Sequence, residues 1–180
     1  MVAQSGRARY NGGRNFCSPH PEEEYPMLKR SMPNLKEVFC LIRMEPACFD
    51  AQTLDALADC CIPGESSDHA MRQVLARAAE GPTVFPYPPR WRHPGSDDPM
   101  DAAPCGTQAQ CALLRSILRT AAQLRREEKL PVLIQLAEAA HNLPEAIFLR
   151  DEPWICRVLE ELQEFCEDYS VTLLPPDGTL

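Results

Sequence analysis

The 180-residue chain is predicted to be mainly α-helical: a small bundle of about three C-terminal helices plus an N-terminal helical hairpin, with at most one or two short strands. Three observations carry this. Apolar residues recur at spacings of three and four through most of the second half, the period of a helix with one buried face. Caps and stops bracket those stretches. The single run rich in β-branched and aromatic residues, Val38 to Ile42, is only five residues long.

Taken in order, residues 1–31 hold few large apolar side chains and a Pro/Glu cluster from Pro19 to Pro26, so they cannot repay their ordering entropy and are read as a disordered tail. Their early arginines, Arg7, Arg9 and Arg14, also fit an organellar transit peptide, and Met27, Met32 and Met44 are alternative initiators. Residues 32–81 form the next unit. Val38 to Ile42 reads as a strand, and a helix capped by Asp50 follows, with Leu54, Leu57, Ala58 and Cys61 on one face and Pro63-Gly64 as its stop. Ser67 caps a second helix with the stripe Met71, Val74, Leu75 and Ala78, ended by Gly81-Pro82.

Residues 82–106 read as a Pro-rich linker, because seven of the chain's 18 prolines lie between Pro82 and Pro104. Residues 107–170 then carry the bundle. Leu114, Ile117, Leu118, Ala121 and Leu124 mark one helix; Leu133, Leu136, Ala137 and Ala140, opened by Pro131, mark a second. The third is capped by Asp151 and striped by Ile155, Val158, Leu159, Leu162, Phe165, Cys166 and Tyr169, with Glu160, Glu161, Glu164, Glu167 and Asp168 off the stripe. Residues 171–180 are a C-terminal tail.

Between the second and third of these helices stands His141-Asn142-Leu143-Pro144. It reads as a helix stop: Asn142 in the left-handed conformation, Leu143 folded back on Ala137, Pro144 blocking continuation, and His141 at the negative end of the helix dipole. The pattern Leu-Ala-x-Ala-x-His-Asn-x-Pro resembles one in small helical bacterial proteins of uncharacterised function, where it ends one helix of a short bundle. The resemblance spans residues 107–169 and implies a fold but no activity.

Charge bounds the partners. Residues 1–31 carry five Lys/Arg against three acids (+2), 32–105 six against eleven (−5), and 106–180 seven against twelve (−5), summing to −8. An acidic body repels phosphate backbones and anionic membrane surfaces, so neither nucleic acid nor membrane is expected as a partner, and another protein is. No stretch reaches the roughly 20 consecutive apolar residues of a membrane span. Residues 1–30 hold no apolar run of signal-peptide length, so the nine cysteines are read as mostly reduced thiols of a soluble, cytoplasmic protein.

Chemistry-bearing groups are sparse. Arg115, Arg119 and Arg126 recur on one side of a helix, where they suit an acidic peptide or phosphate, or else pair within the molecule. Tyr87 and Trp91, in Phe85-Pro-Tyr-Pro-Pro-Arg-Trp91, suit a polyproline docking segment or a linker packed on the core. Glu138 and His141 form a Glu-x-x-His pair, but a di-metal bundle needs two such pairs. Cys60, Cys61 and His69 lack the second half of a zinc site. Nothing local makes a nucleophile–base pair, a phosphate loop or a dinucleotide fingerprint. The expectation is a non-catalytic interaction module, an adaptor, regulator or inhibitor without a cofactor; the alternative is a small metal- or thiol-dependent enzyme or sensor.

Overall fold

The computed structural model describes residues 34–64, 68–80 and 105–178. The N-terminal tail, the cap at Ser67, the stop at Gly81-Pro82, the side chain of His69, and Tyr87 and Trp91 lie outside the described residues. Among the described residues there are seven helices and no strand. They are α1 (Leu35–Met44), α2 (Ala51–Asp59), α3 (Asp68–Glu80), α4 (Gln108–Arg126), α5 (Leu130–Ala140), α6 (Leu143–Leu149) and α7 (Glu152–Tyr169).

The run Val38 to Ile42, expected as a strand, is helical and belongs to α1. Its physical cause lies just outside the run. The Asn34 side chain accepts from Glu37 N at 3.1 Å, and the Glu37 carboxylate accepts from Asn34 N at 2.9 Å, a reciprocal cap that nucleates the first turn. Leu35, Val38, Phe39 and Ile42 then fall at i, i+3, i+4 and i+7 and are all buried. A helix gives these four side chains one shared face; a strand would split them between two.

The other caps follow the sequence. Asp50 accepts from Thr53 N at 2.6 Å to open α2, and Asp151 accepts from Trp154 N at 3.0 Å to open α7. Thr107 and Gln110 make a second reciprocal cap at the start of α4, at 3.3 and 2.9 Å. Gly106, just before it, has φ +119, and a Cβ there would sit 2.7 Å from Gln110 Oε1 and 2.9 Å from Ile147 Cγ2, so the position admits only glycine without displacement.

The string His141-Asn142-Leu143-Pro144 departs from expectation. Asn142 stays right-handed, at φ −84 and ψ −14, and Leu143-Pro144 opens the short α6 instead of terminating the chain's helical course. Pro144 sits in the first turn of α6, where a missing N–H has no helical partner to lose, and Asn142 O accepts from Ala146 N at 3.0 Å. Leu143 is fully buried. The left-handed caps come later, at Arg150 (φ +54) ending α6 and Ser170 (φ +51) ending α7.

Packing joins both halves of the sequence. Helix α2 lies along α4 and also touches α3, while α5 is in contact with α1, α4 and α7, and α6 bridges α7 and α1. The buried side chains form a continuous cluster running from Leu35 through Phe49, Leu57, Leu114, Leu136 and Phe165. Each fully buried Leu or Phe in it contributes about 2–3 kcal/mol by leaving water. Residues 171–178 are more than a tail, since Val171 and Leu173 pack on the core and Leu174 N donates to Thr120 Oγ1 at 2.9 Å. That hydroxyl in turn donates to Ser116 O at 2.7 Å, so a buried threonine is satisfied on both sides.

Two members of the stripe expected for α7 are pushed outward. Ile155, Val158, Leu162 and Phe165 are buried, but Leu159 and Tyr169 are each 42% exposed. Tyr169 stacks on Phe165 with ring centroids 5.3 Å apart and leaves its outer edge to solvent.

Candidate functional site

The arginine stripe of α4 meets α2. Asp55 and Asp59 stand one turn apart on α2, and Arg119 and Arg126 two turns apart on α4, so packing the two helices side by side sets the pairs against each other. Arg119 Nη1 donates to Asp55 Oδ1 at 2.9 Å and to Asp55 O at 3.2 Å, its Nη2 pairs with Asp59, and Arg126 pairs with the other oxygen of Asp55. The Arg119 side chain is only 15% exposed. Burial by itself opposes its charge, but the two carboxylates outweigh that and hold the guanidinium more firmly protonated than usual. Arg125 Nε donates to Phe49 O at 3.2 Å, tying α4 to the segment before α2. Arg115 is half-buried, and its Nε has no hydrogen-bond partner among the described residues. Asp55 and Asp59 were not singled out from sequence; their i, i+4 spacing opposite an arginine stripe was the available signal.

Glu138 and His141 share one end of α5 yet do not converge on a point. The Glu138 carboxylate pairs with Arg43 at the end of α1, while His141 Nδ1 lies 2.6 Å from Glu138 O, so that nitrogen donates to the helix backbone. Lys36 pairs with Glu145 in the same way, and the two bridges fasten α1 to α5 and α6. Among the described residues no group of three or more His, Cys, Asp or Glu side chains is placed to hold a metal ion.

Four cysteines gather where α2 ends and α4 begins. Cys60 Sγ donates to Ala56 O at 3.2 Å, and Cys61 Sγ lies 3.7 Å from Leu57 O, each turned back along α2. Cys105, two residues before the cap of α4, packs beside Cys61 and Cys111, and Cys111 Sγ lies 3.8 Å from Gly106 O. Gly64 N donates to Gly106 O at 3.4 Å and draws the two chain segments together. Cys61 and Cys111 are fully buried, and Cys105 is partly exposed. The hydrogen bond with Cys105, with burial behind it, pushes the Cys61 thiol well up; burial, followed by the neighbouring Cys105, pushes Cys111 up to about 12. Cys60 and Cys61 were candidates from sequence, but Cys105 and Cys111 join them only through the fold.

A cleft of about 550 Å³ opens beside this cluster, between Gly106 and Gln110 at the start of α4 and Ile147, Arg150 and Glu152 at the α6–α7 corner. Its one cation and one anion give it no net sign.

The outward side of α7 is different. Its 18 residues carry six acids, Glu152, Glu160, Glu161, Glu164, Glu167 and Asp168, against the single base Arg157, a net of −5, and all seven of these residues are exposed. Leu159 stands exposed in the same stretch. No helix of the described residues is long and apolar enough to cross a membrane. No known protein family, curated protein or solved structure matches the chain.

Proposed function

We propose that this chain is a non-catalytic protein-interaction module, of adaptor, regulator or inhibitor type, whose outward α7 face receives a basic segment of another protein. The observation that carries the reading is the net charge of −5 on the exposed residues of α7, with Leu159 left 42% exposed at the margin of the buried stripe. A face of this kind draws in a cationic partner, and an exposed apolar side chain at its margin adds contact area. Arg119 and Arg126 support the same choice, because their charge is already met by Asp55 and Asp59. The excess of acid also disfavours nucleic acid, and the eight free cysteines among the described residues suit a cytoplasmic setting.

The test compares wild type with E160K/E161K/E164K and with Leu159→Ala, each used as bait in the native source and checked by circular dichroism. Proteins rich in Lys and Arg should be captured by wild type, lost by the charge-reversed variant and weakened by Leu159→Ala, with capture falling as salt rises. Retention of the same proteins by the charge-reversed bait rejects α7 as the face.

A further inference from the structure

We infer that Cys61 and Cys105 form an oxidation-sensitive thiol pair, a modification site at which a hydroperoxide converts two thiols into a disulfide joining the end of α2 to the start of α4. The inference does not rest on the α7 reading. Three observations support it. Cys61 belongs to the core cluster where α2 ends, and Cys105, just before α4, packs against that same cluster, so the fold sets the two thiols side by side. The Gly64–Gly106 backbone bond of 3.4 Å holds the same two segments together independently of the sulfurs. Exposure is divided as a peroxide-reactive pair requires: Cys105 is partly exposed and reachable by a small oxidant, while Cys61 is buried directly behind it as the resolving thiol.

The chemistry balances in two steps. The Cys105 sulfur attacks one oxygen of hydrogen peroxide; the S–O bond forms, the O–O bond breaks, and the thiol proton leaves with the departing hydroxide as water. The Cys61 sulfur then attacks the Cys105 sulfenic acid; the S–S bond forms, the S–O bond breaks, and the Cys61 proton leaves with that hydroxide as a second water. Two thiols have lost two electrons to one peroxide. The new bond closes the chain from 61 to 105 into a ring, which restricts the unfolded state far more than a local bridge such as Cys105–Cys111 does.

The experiment uses the full chain, reduced, freed of reductant and exposed to graded hydrogen peroxide, then trapped with an alkylating agent and mapped without reduction. The Cys61–Cys105 linked peptide should accumulate before exposed Cys156 is consumed, disappear on adding dithiothreitol, and raise Tm by several degrees while it persists. Cys105→Ser, at a partly exposed position, should abolish the link, whereas Cys111→Ser should leave it. The inference is overturned if Cys105 proceeds to the sulfinic acid unlinked, if Cys111 is its main partner, or if Cys156 oxidises first.

Discussion

The α2–α4 seam and the outer face of α7 are built from the same material, an amphipathic helix with charged residues on its polar side, and they end in opposite electrostatic states. At the seam, Asp55 and Asp59 face Arg119 and Arg126, and the charges cancel over a partly buried contact. On α7 six acids meet a single base, all in solvent. Charge therefore serves two ends in one fold. Where a second helix is packed alongside, it fixes the rotation and register of the pair; where none of the described helices is, it is left to act at a distance. A stripe read from sequence as a binding face can be spent internally, and the face proposed for a partner is the one the fold leaves unbalanced.

The comparison assumes that both regions hang on the same core, and the largest expected effect tests that. Leu54 of α2 is fully buried, and Leu54→Ala should cost about 2–5 kcal/mol in urea denaturation. Trp154 lies in α7, so in a Trp91→Phe background its fluorescence reports the far side of the bundle. Loss of the Trp154 signal at the same lowered urea midpoint as loss of helicity means one cooperative unit; a Trp154 midpoint unmoved by the substitution separates α2 from α7.

Cys48, buried just before α2, should give the next effect. Burial, then the charge of Glu45, pushes its thiol from the ordinary 9.0 to about 12, so above pH 9 the unfolded chain loses a proton that the folded chain keeps. The resulting stability is complete below 9 and declines as pH rises towards 12, by about 1.4 kcal/mol per unit for this thiol alone. Under reducing conditions, urea midpoints should fall between about pH 8 and about pH 10.5, and fall less in Cys48→Ala. An equal decline in both proteins assigns the alkaline loss to other groups.

Asp55→Asn breaks the seam electrostatically while keeping its shape. It leaves a mostly buried Arg119 guanidinium with only Asp59, which is itself mostly exposed, and should cost about 2 kcal/mol. A cycle with Arg119→Met separates the interaction from packing; a coupling near zero reduces the seam to a surface ion pair.

The seam also marks where the sequence stops being readable. Leu114, Ile117, Leu118, Ala121 and Leu124 are legible as a helix face because period alone decides them, and all are buried. Asp50 and Asp151 are legible as caps because capping is local. Which acid meets which base is not, since Asp55 and Arg119 are far apart in the chain and meet only after two helices choose a rotation. The same holds for Cys61 and Cys105. Helix α1 was a different kind of miss: five consecutive apolar residues hide a stripe whose first member, Leu35, and whose cap, Asn34 with Glu37, sit just outside the run. Asn34→Ala should cost about 1 kcal/mol, measured by urea denaturation, and a change near zero would mean that tertiary packing alone holds α1 helical.

The smallest effect on stability belongs to α7, and its smallness is the point. Glu160 and Glu164 are one turn apart with like charge, so neutralising both as Gln removes a repulsion of a few tenths of a kcal/mol and should leave stability unchanged or slightly higher. At the seam, neutralising one acid destabilises; on α7, neutralising two does not. Acids that can be removed at no cost to the fold are free to be set by something outside it, which is what a docking face requires. If E160Q/E164Q instead loses more than about 1 kcal/mol, these glutamates are structural like Asp55, and the contrast between the two regions fails.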